Sequence, residues 1–218
     1  MTDSLEKIAK YIVSDGKGIL AADESTPTCT KRFDSIGVES TEDNRRDYRE
    51  LLFSADGMDG NIGGVILYDE TIRQTSSDGT KLIDIISANG ALPGIKVDKG
   101  LEVINDQNET ITKGLEDLDD RCKEYDEIGA KFTKWRSVIN IGDSIPSDEC
   151  INQNMDILAK YAKIAQNTNM VPIVEPEVLI NGVHDIHRAY EVSSACLSVL
   201  FEELEKKNVL IEGCILKP

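Results

Sequence analysis

Two kinds of segment alternate along the whole chain, and this alternation restricts the fold more than any other feature. Short aliphatic or β-branched runs beside glycine or proline predict strands at 18–25, 64–71, 93–100, 131–139, 171–178 and 211–218. Apolar residues spaced three and four apart predict helices at about 5–12, 41–52, 79–89, 108–128, 148–167 and 185–207. Asp3 and Glu6 stand in capping-box positions of the first helix. The alternation predicts a parallel sheet covered by helices.

Charged or polar residues close each predicted strand, and they decide between two architectures. A doubly wound open sheet and a (β/α)8 barrel both fit the alternation. No G-x-G-x-x-G follows the first strand, so the dinucleotide-binding open sheet loses its best evidence. A barrel enzyme places reactive groups at the C-terminal ends of many strands, whereas an open sheet normally concentrates them at one switch point. The sequence therefore favours the barrel. The charged strand-end residues are Asp23, Glu24, Asp69, Glu70, Lys96, Asp98, Lys134, Arg136, Glu175, Glu177 and Lys217.

The composition limits the partners and the compartment. A net charge of −16 argues against nucleic acid or an anionic membrane as the main partner, so an anionic substrate would need a local concentration of Lys and Arg. No window approaches the roughly 18–20 apolar residues of a membrane span, and the N-terminal sequence lacks a signal-peptide pattern. Five widely spaced cysteines without a C-x-x-C pair predict reduced thiols. We therefore expect a cytoplasmic protein.

Charged residues alternate with other residues at three of the predicted strand ends. Residues i and i+2 of a strand share a face, so we expect Lys134 on the same face as Arg136, Glu175 on the same face as Glu177, and Lys96 on the same face as Asp98. Such pairs are costly to bury unless opposite charges neutralise each other. The interleaved cations argue against a divalent metal, and the His184-x-x-His187 pattern predicts a surface feature, so we expect no metal site.

Chemistry by an amine and carboxylates is the remaining interpretation. A lysine attacks a carbonyl in its neutral form, which burial or a neighbouring cation favours. Lys217 ends an apolar strand and is such a candidate, with Lys134 and Arg136 as possible neighbouring cations. The resulting Schiff base is an electron sink that lets a carbon–carbon bond break. Glu175, Glu177 and Asp23 are suitable acids and bases for the proton transfers.

Several motifs in order resemble one known family. They are GKGILAADEST at 16–26, NRRDYRELL at 44–52, GGVILYDET at 63–71, KVDKG at 96–100, KWR at 134–136, EPE at 175–177 and VLIEGCILKP at 209–218. Together they resemble class I fructose-bisphosphate aldolase over essentially the whole chain. The resemblance implies a TIM barrel and a glycolytic lyase that works through a Schiff base on a sugar phosphate, with no cofactor. It also implies a homo-oligomeric, commonly tetrameric, full-length parent.

The resemblance also implies roles for individual residues. Lys217 matches the Schiff-base lysine, Glu175 the proton acceptor and donor for Schiff-base steps, and Glu177 its assistant. Asp23 matches the acid and base of carbon–carbon cleavage. Lys134 and Arg136 match residues that steer the carbinolamine and bind substrate. The positions that match contacts to substrate or phosphate are Ser25, Lys31, Arg32, Arg45 and Lys96.

The chain departs from the family pattern in two places. Pro27-Thr28 replaces the common Gly-Ser, and we expect the proline to stiffen a loop there. The last two βα units are missing, and a complete barrel typically needs about 250 residues. We therefore expect residues 1–218 to form a single incomplete barrel domain with strands one to six, as a piece of a longer protein. Another Schiff-base sugar-phosphate lyase, or a non-catalytic fragment that binds phosphorylated ligands or partners, remains an alternative.

Overall fold

A computed structural model describes residues 4–218, so Asp3 of the predicted capping box lies outside the described residues. Eight helices, eight strands and one 3-10 turn follow one another within this range. In chain order they are α1 (Leu5–Ile12), β1 (Gly18–Ala22), α2 (Thr26–Asp34), α3 (Glu42–Phe53), β2 (Ile62–Leu67), α4 (Asp69–Ile72), α5 (Leu82–Ala88), β3 (Leu92–Lys96), β4 (Leu101–Val103), β5 (Thr110–Thr112), α6 (Leu118–Ile128), β6 (Phe132–Ile139), α7 (Asp148–Asn167), β7 (Val171–Val178), α8 (Ile186–Lys206), the 3-10 turn (Ile211–Gly213) and β8 (Ile215–Leu216).

The described residues divide into two compact units. The first unit comprises Lys10–Lys96 and Glu127–Phe132, and the second comprises residues 4–9, Val97–Asp126 and Thr133–Pro218. Helix α1 and strand β6 each begin in one unit and end in the other. None of the described helices is both long and apolar enough to cross a membrane.

In the first unit, β1, β2 and β3 lie side by side and parallel. Ala22 of β1 pairs with Leu67 of β2, and Leu67 in turn pairs with Ile95 of β3. The main-chain N–H of Lys131, just before β6, donates to the carbonyl of Pro93 at 2.8 Å, so the start of β6 follows β3. The core of this unit is mainly aliphatic and aromatic, as expected for strands covered on both faces. It includes Ile12, Phe53, Val65, Ile66, Leu67, Ile95 and Phe132.

Close packing around Phe132 explains why glycine occupies two of these strands. A Cβ added at Gly94 of β3 would lie 2.3 Å from the Phe132 ring, and one at Gly64 of β2 would lie 2.9 Å from it. Only a residue without a side chain leaves room for the ring. The large ring at position 132 therefore requires glycine at positions 64 and 94.

In the second unit, β6, β7 and β8 are neighbours in that order, and long helices α7 and α8 pack against β7. Ser147 caps α7 by accepting from the N–H of Cys150 at 3.1 Å, and Asp185 caps α8 by accepting from the N–H of Arg188 at 2.9 Å. Strands β4 and β5 form a separate antiparallel hairpin, with Val103 opposite Thr110.

The predicted strands and helices are present, with several corrections. The strands predicted over 18–25 and 93–100 end at Ala22 and Lys96, so Asp98 lies beyond β3. Helix α2 and the β4–β5 hairpin were not predicted. The helix predicted over 108–128 begins only at Leu118, because Thr110–Thr112 pair with β4 and Gly114, at a φ of 119°, interrupts the chain. The strand predicted over 211–218 is mostly a 3-10 turn and keeps two strand residues. The predicted strand 64–71 ends at Leu67, and Asp69 and Glu70 lie on α4.

The expectation for Pro27 is also wrong. Pro27 lies in the first turn of α2 rather than in a loop, since the first helical turn needs no N–H donor there. The hydroxyl groups of Thr28 and Ser25 are 3.1 Å apart and share a hydrogen bond. The prediction of one domain over 1–218 stays a prediction.

Candidate active site

Strands β6 and β7 present charged side chains at alternate positions, as the sequence predicted. The Lys134 ammonium lies 3.4 Å from Oε2 of Glu175, and the Arg136 guanidinium donates from Nε to Glu177. Trp135, between the two cations, is fully buried and stacks on Tyr161 with ring centroids 5.4 Å apart. The alternation therefore places two cation–carboxylate pairs on one face and an aromatic core on the other.

Lys217 reaches this face through the register of β8. Ile215 pairs with Ile173 and Leu216 with Val174, and the N–H of Lys217 donates to the carbonyl of Val174 at 3.0 Å. Continuation of this register brings Lys217 beside Glu175. The Lys217 ammonium donates a hydrogen bond to Oε1 of Glu175.

Glu175 is thus the common partner of two lysines. Its side chain is 6% exposed and that of Lys134 is 7% exposed, whereas the side chain of Lys217 is 44% exposed. A buried carboxylate needs compensating cations, and these two ammonium groups supply them. The exposed member of the trio is also the predicted nucleophile. Contrary to the sequence expectation, Lys217 is not buried, and its direct partner is a carboxylate rather than a cation. The arrangement can hold an anion-bearing ketone near a lysine and move a proton between Lys217 and Glu175.

In the first unit, the segment after β1 carries the predicted Asp23 and Ser25. Both are half-buried, and Ser25 is the N-cap residue of α2. Glu24 lies between them, and its carboxylate accepts from Arg32 and from the hydroxyl of Tyr48, the latter at 3.2 Å. Burial, and then the neighbouring Glu24 carboxylate, raise the pKa of Tyr48, so its hydroxyl remains a donor.

The other predicted substrate contacts in this unit are more scattered. Nε and NH2 of Arg45 donate to the two carboxylate oxygens of Glu70 at 2.8 and 2.6 Å. These hydrogen bonds raise the pKa of Arg45 above its ordinary value. Lys31 is exposed on α2, and Lys96 is the last residue of β3 and is half-buried. The guanidinium of Arg45 is therefore engaged by a carboxylate, while Lys31 faces solvent.

Sequence reasoning missed Arg49, which supports this segment. Arg49 is 2% exposed; its NH2 donates to the main-chain carbonyl of Glu24 at 2.9 Å, and its NH1 lies 2.8 Å from Oε2 of Glu24. Arg45 and Arg49 are four residues apart in NRRDYRELL, on one side of α3. That spacing was the available signal for a shared face, but it does not identify Glu24 as the partner.

Metal ligands and disulfides do not form a site in the part of the chain that the structure describes. Within residues 4–218 no group of three or more His, Cys, Asp and Glu side chains is placed to hold a metal ion. All five cysteines are free thiols. His184 lies in the β7–α8 connection and is half-buried, whereas His187 lies in the first turn of α8 and is exposed. The metal-independent reaction stays a prediction.

Comparison with known proteins places this geometry in a family. The family model described as fructose-bisphosphate aldolase class-I matches residues 4–218. The chain belongs to that family. A probable class 1 fructose-bisphosphate aldolase of Xanthomonas axonopodis pv. citri is 49% identical over 216 residues, 99% of this chain and 65% of the relative. The cytosolic fructose-bisphosphate aldolase 6 of Arabidopsis thaliana is 51% identical over 217 residues, 99% of this chain and 61% of the relative.

The aldolase relationship extends to three dimensions. A fructose-bisphosphate aldolase from Plasmodium falciparum, solved in complex with TRAP and a small-molecule inhibitor, superposes with a TM-score of 0.96 at 45% identity. The match covers 98% of this chain and 62% of that one. The predicted fold class, a partial α/β TIM barrel with six parallel strands, is confirmed. The chain spans 61% to 65% of the length of the curated aldolases named above.

Proposed function

We propose that this chain is part of a class I aldolase that cleaves fructose 1,6-bisphosphate into dihydroxyacetone phosphate and glyceraldehyde 3-phosphate without a metal. One observation carries the proposal: the Lys217 amine is hydrogen-bonded to a buried carboxylate, Glu175, that also faces the Lys134 ammonium. Membership of the class I aldolase family supports the choice of reaction. The roles of individual residues below belong to the proposal.

Formation of the Schiff base uses the contact between Lys217 and Glu175. Glu175 accepts a proton from the Lys217 ammonium, and the neutral amine then adds to the ketone carbon of the substrate. The carbinolamine loses its hydroxyl as water after that oxygen takes a proton from Glu175. A protonated Schiff base on Lys217 remains. Lys134 keeps positive charge against the other oxygen of Glu175, which holds the carboxylate in place while the proton moves.

Cleavage follows from the positive charge of the Schiff base. The bond between the α and β carbons breaks, its electron pair moves into an enamine, and Asp23 takes the proton of the β hydroxyl as the aldehyde leaves. The enamine carbon then takes a proton, and water releases the ketone product from Lys217. Glu177 and Arg136, joined to each other, assist the neighbouring Glu175 and bind substrate.

The proposal also covers the setting of the enzyme. A chain of net charge −16 can bind substrate phosphates only where basic residues are concentrated. The residues assigned to substrate and phosphate contacts are Ser25, Lys31, Arg32, Arg45, Lys96 and Arg136. The parent protein acts in cytoplasmic glycolysis and forms a homo-oligomer, a tetramer. It has no nucleic-acid or membrane partner. The names of the Arabidopsis relatives, which include the word cytosolic, support the compartment.

Reductive trapping tests the proposal directly. Sodium borohydride is added with dihydroxyacetone phosphate, and the modified lysine is located by peptide mass spectrometry. We expect one adduct, on Lys217, in the presence of EDTA as well. Lys217→Ala abolishes it, Glu175→Gln slows it, and the surface variant Lys206→Ala leaves it unchanged. A folded chain that yields no adduct, or equal adduct yields in Lys217→Ala and Glu175→Gln, overturns the assignment.

A further inference from the structure

A cavity lies in the second unit on the exposed side of α7. It has a volume of about 490 Å³ and is lined by Leu115, Lys160, Lys163, Ile164 and Lys207. Lys160, Lys163 and Ile164 are three and four residues apart and so share one face of the helix. Leu115 comes from the segment before α6, and Lys207 follows the end of α8. The volume is within the range of about 300–1,000 Å³ typical of sites for small molecules.

The cavity has an apolar floor and a basic rim. Its lining is almost entirely carbon, contributed by Leu115, Ile164 and the aliphatic stems of the three lysines. Lys160 and Lys207 are drawn to one side by Asp156, at 2.6 and 2.7 Å, and Lys207 also donates to Glu203. These carboxylates therefore engage the ammonium groups of Lys160 and Lys207.

Lys163 differs from the other two lysines. Its ammonium donates to the main-chain carbonyl of Asn208 at 2.9 Å, and among residues 4–218 no carboxylate forms an ion pair with it. A carbonyl satisfies one of the three N–H groups and leaves the positive charge uncompensated. In a chain of net charge −16, an ammonium without a carboxylate partner, on a residue that lines an apolar cavity, is a selective feature.

We propose that this cavity binds a small amphipathic monoanion, an aliphatic carboxylate such as a medium-chain fatty acid, whose head group pairs with Lys163. The aliphatic body lies over Leu115 and Ile164, where it removes apolar surface from water. A volume of about 490 Å³ suits a single small ligand. The site is separate from Lys217 and Glu175 and does not depend on the aldolase reaction.

Methyl nuclear magnetic resonance with decanoate tests the site. In the folded chain with labelled Ile and Leu methyl groups, decanoate is added below its micelle-forming concentration. We expect saturable shifts of the Ile164 and Leu115 methyl signals, and at least tenfold weaker binding of decanol, which lacks the charge. Lys163→Glu weakens decanoate binding at least tenfold. The control Lys123→Glu makes the same charge change at an exposed position of α6 and leaves decanoate binding unchanged.

Three results overturn the proposal. The first is the absence of saturable shifts at Ile164 and Leu115; the second is equal affinity for decanoate and decanol, or for the Lys163→Glu and Lys123→Glu proteins. The third is binding to vesicles of anionic phospholipid without any response to decanoate. If Lys163→Glu loses its native methyl dispersion, Lys163→Gln replaces it, with the same expected weakening and the same consequence if none occurs.

Discussion

Arg49 contacts both the side chain and the main chain of Glu24. NH1 of the buried guanidinium lies 2.8 Å from Oε2 of the carboxylate, and NH2 donates to the Glu24 carbonyl at 2.9 Å. The NH1 contact has ion-pair distance without hydrogen-bond alignment. Because Glu24 separates Asp23 from Ser25, Arg49 helps to fix the position of both, together with Arg32 and Tyr48.

Removal of Arg49 should cost far more stability than removal of a surface arginine. Arg49→Met leaves the Glu24 carboxylate, 9% exposed, without its buried cation, and breaking a buried pair costs about 3–5 kcal/mol. We expect that loss in urea unfolding followed by circular dichroism. Arg46→Met, which removes a neighbouring arginine from surface pairs with Asp43 and Asp47, leaves the midpoint nearly unchanged. Equal midpoints for the two variants would show that the buried pair contributes nothing.

The fit of Phe132 against β3 makes Gly94→Ala a sensitive test of packing. The added Cβ meets the ring at 2.3 Å, so the ring or the strand has to move, at about 1–3 kcal/mol. Gly18→Ala is the matched strand control, since a Cβ there meets no atom within 4 Å. Thermal unfolding should show a lower midpoint for Gly94→Ala and no loss for Gly18→Ala. A Gly94→Ala protein as stable as the parent contradicts the packing.

Glu109 links the β4–β5 hairpin to the start of α7 in a pH-dependent way. It is buried and accepts hydrogen bonds from the N–H and the hydroxyl of Ser147, both at 2.7 Å, and from Asn105 at 2.6 Å. Burial by itself would raise the pKa of Glu109, but these hydrogen bonds outweigh it and hold the pKa below its ordinary value of 4.5. The ionised form is therefore the one that stabilises the fold.

A lowered pKa in the folded state fixes the sign of the pH effect. The contribution of Glu109 is complete above its unfolded pKa, near 4.5, and is lost as the pH falls through the lower folded value. Glu109→Gln should lose about 1–3 kcal/mol at neutral pH, and the difference should shrink below pH 4.5. Glu102→Gln, at an exposed position of β4, is the control. A Glu109→Gln difference that stays constant down to acid unfolding excludes this role.

Burial should protect the cysteines from alkylation. Burial raises the pKa of Cys122, Cys150 and Cys214 to about 12 and that of Cys196 to about 11. Because these pKa values are far above neutral pH, the fraction of each thiol in the thiolate form is very small. Only the thiolate attacks an alkylating reagent, so the reaction is slow. Peptide mass spectrometry after iodoacetamide should show slow modification of these four in the folded chain and rapid modification in urea. Rapid modification of Cys196 without urea would mean that α8 opens readily.

The sequence allowed prediction of the elements whose signals are local. Apolar residues three and four apart predicted helices such as α3, α7 and α8, and runs of aliphatic residues predicted strands. The alternation of Lys134, Arg136, Glu175 and Glu177 predicted which charges share a face, since that follows from strand geometry alone. The roles of these residues in the reaction remain predictions.

Elements that depend on distant partners could not be predicted from local signals. Ile111, Leu115 and Leu118 have helical spacing, but pairing with Leu101–Val103 gives residues 110–112 a strand conformation. Likewise, nothing near Glu24 in sequence indicates that a buried arginine 25 residues further along holds it. Tertiary contacts decide both cases.

The register between β7 and β8 determines the position of the Lys217 amine. Only two strand residues precede Lys217, and they set which side of the sheet the amine faces. A slip of one residue turns the amine to the opposite side, and a slip of two keeps the side but displaces it by about 7 Å from Glu175. Deleting or inserting one residue within this short strand is therefore expected to separate the Lys217 amine from Glu175, even though Lys217, Glu175 and Lys134 are all kept.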